Sequence, residues 1–228
     1  MTALGNLVGI GLYTASEAAV YARVHTQTMM RWVHGNQQSK SVIFAQRPRD
    51  PERIVTFLDF VQTLAVRAIR REKKIPLGRI REAIAKARDK YQVEFPFAMS
   101  HKTYLFGNDI LIEIPGRGGL VQISGKHKDQ LMLREIAEFY MESITFGEGG
   151  LASSFVAFSH GDRNVLMDPS RRQGQPFLPS CDYTADVLLH AYRTEGGIAA
   201  AAAAFGVEAE DVQLAVRYYD YLGGLVAA

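Results

Sequence analysis

His25-Thr26-Gln27-Thr28, with Arg31 one turn further on, gathers side chains that can hydrogen-bond to the edges of bases. Glutamine can pair bidentately with adenine and arginine with guanine, while threonine suits either a polar edge or the thymine methyl. Residues of these types read a major groove when they occupy the first turn of a helix whose opposite face is buried. Met29 and Trp32, three apart, supply that opposite face. An ordinary core helix, with Met29, Met30 and Trp32 inside and its polar residues in water, would leave the same pattern. The neighbouring elements have to separate the two.

Those neighbours are the ones a base-reading helix needs. Residues 7–12 read as a short strand, and Thr14-Ala15-Ser16-Glu17 fits a capping box, with Tyr13 in the staple position before it. Ala18, Ala19 and Ala22 are small enough for a second helix to approach closely, and Val24 can fill the corner. The second helix is predicted from about Thr26 to His34, with Gly35 as its stop. Asn36 to Ser41 is a polar turn, Val42 to Ala45 a short strand, and residues 46–51 a breaker-rich connection. Strand, two helices, turn and strand make the outline of a winged helix-turn-helix, in which Lys40 on the wing and Arg47 and Arg49 after it can hold phosphate. From Ile54 the pattern becomes helical, with Phe57, Phe60, Val61, Leu64 and Ala68 on one stripe. Pro76 and Gly78 open another helix, with Ile80, Ile84 and Ala87 facing inward.

Charge follows the same division. The net charge is only +2, yet residues 23–90 hold sixteen Lys/Arg against six Asp/Glu, leaving ten against eighteen elsewhere. A basic stretch of this kind suits a polyanion. Basic residues are also the usual solvated face of a helical hairpin, so charge alone raises the case for nucleic acid only modestly. The acidic remainder, including Glu135, Glu138, Glu142, Asp211 and Asp220, could meet a basic protein partner.

The rest of the chain reads as mixed structure. Residues 109–124 form a predicted β-hairpin around Pro115-Gly116-Arg117-Gly118-Gly119, and residues 129–144 a predicted helix. LASSFVAF and NVLMDP are two further strands. The last sixty residues are helical, and Ala199 to Phe205, the turn at Gly206-Val207 and a helix from about Glu210 make a second helix-turn-helix shape. The fold class expected is mainly α with small β elements (α+β). Its domains would be a winged helix-turn-helix over 1–92, a middle region of β-hairpin and helix over 93–160, and a helical domain over 161–228.

Other chemistry finds little support. Gly125-Lys126 lacks the spacing and the following Ser or Thr of a phosphate loop. The six histidines form no i, i+4 pair or cysteine cluster, so no metal or other cofactor is expected. His160-Gly161-Asp162 falls in a polar turn between strands, Ser153-Ser154 has no nucleophile-elbow context, and no catalytic constellation emerges. Lone Cys181 excludes an internal disulfide. No apolar run approaches the roughly 20 residues of a membrane helix, and the N-terminal apolar stretch lacks a basic leader. A cytoplasmic, non-enzymatic protein is expected.

Thr14 to Trp32 is similar to the N-terminal helix-turn-helix of MerR-type regulators, and the basic helices to about Tyr91 continue the likeness. Val165-Leu166-Met167-Asp168-Pro169, Gly174-Gln175-Pro176-Phe177, Tyr183-Thr184-Ala185-Asp186-Val187-Leu188, Phe205-Gly206-Val207 and Asp211-Val212 resemble a small helical domain of VapB-type antitoxins, found in bacterial toxin–antitoxin pairs. A long form of that antitoxin joins both halves through a β-containing middle, so the likeness spans nearly the whole chain. The resemblance implies an antitoxin that neutralises a PIN-like ribonuclease toxin and represses its own operon as a homodimer on an inverted repeat. It carries the DNA-reading role onto Thr26, Gln27, Thr28 and Arg31. Two departures stand out. His25-Thr26 replaces the Ser-Pro such motifs often have, which weakens the second helix's cap. Arg217 is the one cation in the last helix, which makes the C-terminal helices a dimer or toxin contact, through Val187, Tyr192, Phe205, Val212, Tyr218 and Tyr221, rather than a second DNA reader. The alternative is a stand-alone MerR-like regulator without a toxin, and ligand sensing is a weaker third reading.

Overall fold

The computed structural model describes residues 11–36, 40–43, 54–100, 103–106, 109–113, 120–122, 134–135 and 142–223. They divide into two compact units, one within Val8–Ser153 and the other within Ser154–Ala228. The fold is α+β, with helices bracketing small antiparallel sheets.

In the first unit, β1 (Gly11–Tyr13) leads into α1 (Ala15–Tyr21), whose start is fixed by a capping box. The Thr14 N–H donates to Glu17 Oε2 at 2.8 Å, and the Glu17 N–H donates back to Thr14 Oγ1 at 3.2 Å. The helix closes in a Schellman arrangement: the Arg23 N–H donates to the Val20 carbonyl and the Val24 N–H to the Ala19 carbonyl, each at 3.0 Å. Arg23 takes the left-handed position, φ 52°, that glycine usually fills there. α2 (Thr26–Val33) follows, packing fully buried Met29 with Trp32 and Val33. Gly35, at φ 72°, accepts the reversal that ends it, its N–H donating to the Arg31 carbonyl.

Two expectations next to these helices need correction. Val42 and Ile43 are bends rather than strand, because both their N–H groups donate to the Trp32 carbonyl, at 2.8 Å, instead of to a sheet partner. Residues 44–45 of that predicted strand lie outside the described residues. Helix does not begin at Ile54 either. Val55–Thr56 form β2, paired antiparallel with β1, and α3 (Phe57–Lys73) starts only after Thr56 caps it. Thr56 and Asp59 make a second capping box, with the Thr56 hydroxyl donating to Asp59 Oδ2 at 2.8 Å.

Tyr13, Phe57 and Phe60 are fully buried, with ring centroids of Tyr13 and Phe60 5.7 Å apart. Each such ring is worth about 2 kcal/mol in apolar burial. α4 (Leu77–Tyr91) then buries Ile80, Ile84 and Ala87, the inward stripe read from the sequence, together with Ala83.

The middle segment forms a four-stranded antiparallel sheet from β3 (Thr103–Phe106), β4 (Asp109–Glu113), β5 (Leu120–Gln122) and β6 (Arg134–Glu135), in the order β5-β4-β3-β6. The β4–β5 pairing is the expected hairpin, and its turn residues 114–119 lie outside the described residues. The predicted helix over 129–144 is contradicted where it is described. Arg134 and Glu135 pair with Leu105 and Tyr104, and Ile144 opens β7 (Ile144–Phe146). Sheet pairing to β3 overrides local helical preference here. β7, β8 (Ala152–His160) and β9 (Arg163–Met167) form the third sheet, in that order.

In the second unit, β8 and β9 pair antiparallel through Val156↔Leu166 and Ser159↔Asn164. α5 (Ala185–Thr194), α6 (Ile198–Phe205) and α7 (Ala209–Gly223) follow. Ala191, Ala201, Ala202 and Val212 form a small-residue core that grips the alanine helix between its neighbours, with Tyr192 and Phe205 packed against it. Arg163 at the start of β9 donates to Asp211 and Glu208 beside the α7 N-terminus, and the Ser180 hydroxyl donates to Asp211 Oδ1 at 2.6 Å. Asp211 is thereby buried, with its Oδ1 accepting from both Arg163 and Ser180. No described helix is long and apolar enough to cross a membrane.

Candidate nucleic-acid interface

α2 is two-sided in the way a reading helix must be. Met29, Trp32 and Val33 are buried, whereas Thr26, Gln27 and Arg31 are exposed and Thr28 is half-buried. Met29 is seated on α3, where the Thr63 hydroxyl lies 3.6 Å from its sulfur. The outer side borders a concavity of about 600 Å³, lined by Thr26, Gln27, Thr28 and Arg31 together with Met30 and Asn36. All four helix residues singled out from the sequence therefore sit on one surface. Met30, which only the ordinary-core reading placed inside with Met29, is half-buried and lines this concavity. A strict 3.6-residue count carries the signal: Met30 is one position, about 100°, from Met29 and shares its side with Gln27.

His25 stands immediately before the helix, exposed, and its Nδ1 accepts from the Gln27 N–H at 3.3 Å. The helix starts at Thr26 despite the unusual cap, because the imidazole does the work of a Ser or Asp oxygen. Lys40 is exposed too. Its backbone carbonyl and that of Ser41 accept from the Arg81 guanidinium, both at 3.0 Å, while Val42 and Ile43 are tied to Trp32. Residues 40–43 are thus held from both sides. Arg47 and Arg49 lie outside the described residues.

In the other unit, the residues expected to meet a partner divide. Val212 and Tyr218 are spent on the unit's own core, at 0% and 1% exposure. Val187, Tyr192 and Phe205 are half-buried, and Tyr221 is exposed with its ring 5.2 Å from Phe158. Tyr183, part of the antitoxin-like motif but not among the expected contact residues, is exposed and packs edge-on to Phe205 at 5.5 Å. The loop before α5 is braced by Arg171 and Arg172, which donate to Asp182 at 2.8 and 2.6 Å. Hydrogen bonds from Arg172 and then Arg171 hold that carboxyl below its usual range.

Burial pushes the neighbouring Cys181 thiol up, away from a reactive thiolate. Burial likewise pushes Tyr219 up to about 12, with Asp186 adding to it. His160 and Asp162 lie at the exposed tip of the β8–β9 hairpin. Among the described residues, no group of three or more His, Cys, Asp or Glu is arranged to hold a metal ion.

The architecture has a solved counterpart. The chain superposes on the crystal structure of Rv2018 from Mycobacterium tuberculosis with a TM-score of 0.60, covering 91% of this chain and 98% of that one at 21% identity, a likeness of fold. No protein-family model matches the chain. Among curated proteins it is 29% identical over 205 residues to "Putative antitoxin VapB45" of Mycobacterium tuberculosis, covering 78% of this chain and 82% of that protein. The resemblance to VapB-type antitoxins seen in the sequence motifs thus extends to a curated relative over most of the chain.

Proposed function

We propose that this chain is an antitoxin that binds its own operator DNA through the exposed side of α2, neutralises a PIN-like ribonuclease toxin and represses its operon as a homodimer in the bacterial cytoplasm. The observation carrying the DNA part is the two-sidedness of α2. Thr26, Gln27 and Arg31 are exposed along a concavity, while Met29 and Trp32 fix the helix from behind. The basic residues of the same unit, Lys40 and those of α3 and α4, supply the charge that DNA backbone contacts need. The antitoxin part draws support from the curated relative's name and from the length over which the two chains align.

The toxin contact is assigned to the second unit. Tyr221 and Tyr183 expose aromatic surface there, and Glu210 and Asp220 give its last helix exposed acidic groups suited to a basic enzyme. The test is co-expression of the tagged chain with the product of the neighbouring reading frame. Co-purification, with relief of the growth arrest caused by that product alone, is the expected result. A neighbouring product that neither co-purifies nor arrests growth would remove the antitoxin assignment.

A further inference from the structure

We propose that Met30 reads a thymine methyl group in the operator, making it a determinant of base specificity alongside Gln27 and Arg31; this inference rests on the proposal that α2 binds DNA.

Two adjacent methionines in α2 have opposite fates. Met29 is wholly buried against α3, whereas Met30 turns outward, half-buried, into the concavity lined by Gln27 and Arg31. Gln27, Met30 and Arg31 are spaced i, i+3, i+4 and so form one patch. An apolar side chain set beside an amide on the exposed side of the helix contributes little to the core, and its long, polarisable thioether adapts to an apolar partner. On the major-groove edge of DNA the one apolar projection is the 5-methyl of thymine. Gln27 pairs naturally with adenine and Arg31 with guanine, so a methionine in the same patch completes a set of three different base signals. The 600 Å³ concavity leaves room for a base edge to approach the thioether. The surplus of basic residues over 23–90 brings the polyanion to this surface.

The experiment uses the full chain and duplexes from the DNA upstream of its own gene. The bound segment is first defined by footprinting, and each thymine in it is then replaced by deoxyuridine, which removes only the methyl. Wild type is expected to lose about fourfold in affinity at one thymine, the worth of one buried methyl. Met30→Ala should bind the thymine duplex correspondingly more weakly and show no further loss with deoxyuridine, and Met30→Leu should restore most of the methyl dependence. Met30→Gln, which preserves side-chain length, serves if Met30→Ala loosens the helix by circular dichroism. Equal deoxyuridine losses in wild type and in the Ala or Gln variant, or no position sensitive to the methyl, would overturn the assignment while leaving DNA binding intact. Absence of binding to any upstream duplex at low salt would overturn both.

Discussion

Arg67 Nη1 donates to the carbonyl of Ala22 at 2.6 Å, so a side chain from the middle of α3 closes the end of α1. Ala22 is the last residue before the turn into α2, where the helix leaves carbonyls without partners and its dipole is negative. The guanidinium meets both needs and fixes the corner that aims α2. Replacing it with an apolar side chain of similar length should cost about 2 kcal/mol, the range for a charge-assisted hydrogen bond. Urea unfolding of Arg67→Met is the measurement. An unchanged midpoint would mean that the corner is held by packing alone.

His25 gives a second handle on α2. Its Nδ1 accepts from the Gln27 N–H, so His25→Asn should keep the cap and His25→Ala should lose about 1 kcal/mol. Denaturation of the two variants side by side checks this. Equal stabilities would show that the imidazole contributes nothing to the helix start.

Asp59 makes a prediction in pH. Burial pushes its carboxyl up to about 6, against the lowering effect of the Thr56 hydrogen bonds and with a small further rise from Glu94. The folded protein therefore keeps this proton to higher pH than the unfolded chain does. The resulting stabilisation is complete below the ordinary value of 3.8 and is lost as pH rises through about 6. Asp59→Asn holds the uncharged form at every pH. Its stability relative to wild type should therefore rise between pH 4 and pH 6 by on the order of 2 kcal/mol and then level off. A difference that stays flat over that window would contradict the buried, protonated carboxyl.

In the second unit, exposure separates contact from core. Tyr221→Ser should cost only about 1 kcal/mol of stability, the worth of its ring contact with Phe158, while weakening toxin co-purification. Val212→Ser should instead unfold the unit, because Val212 sits inside the alanine core. If Tyr221→Ser binds toxin as wild type does, the contact lies elsewhere.

Local chemistry explains why some elements were legible in the sequence and others not. Thr14 with Glu17, Gly35 after α2, and the apolar stripe of α4 each carry their structural cause within a few residues, and each was found where expected. So were the three C-terminal helices, because alanine and the Gly206 stop act locally. The failures share a different origin. β2 exists only because β1, some forty residues earlier, pairs with it, and β6 exists only because β3 does. The Gly107-Asn108 dipeptide between two β-rich runs was an available hairpin signal for β3 and β4. Val42 and Ile43 have strand-like side chains, but the Trp32 carbonyl claims their backbone. At the candidate interface, the polar residues were legible from type and spacing. Met30 was not, because hydrophobicity alone points a methionine inward and only its angular position turns it out.

An anisotropy titration of the full chain with its upstream DNA tests whether the outer side of α2 reads DNA sequence. Specific binding that weakens steeply with salt is the expected result. Gln27→Ala and Arg31→Ala should each lower the preference for that DNA over a scrambled duplex about tenfold or more, with scrambled-duplex binding much less affected. Equal affinity for the two duplexes in wild type, or discrimination untouched by both substitutions, would contradict sequence reading by α2.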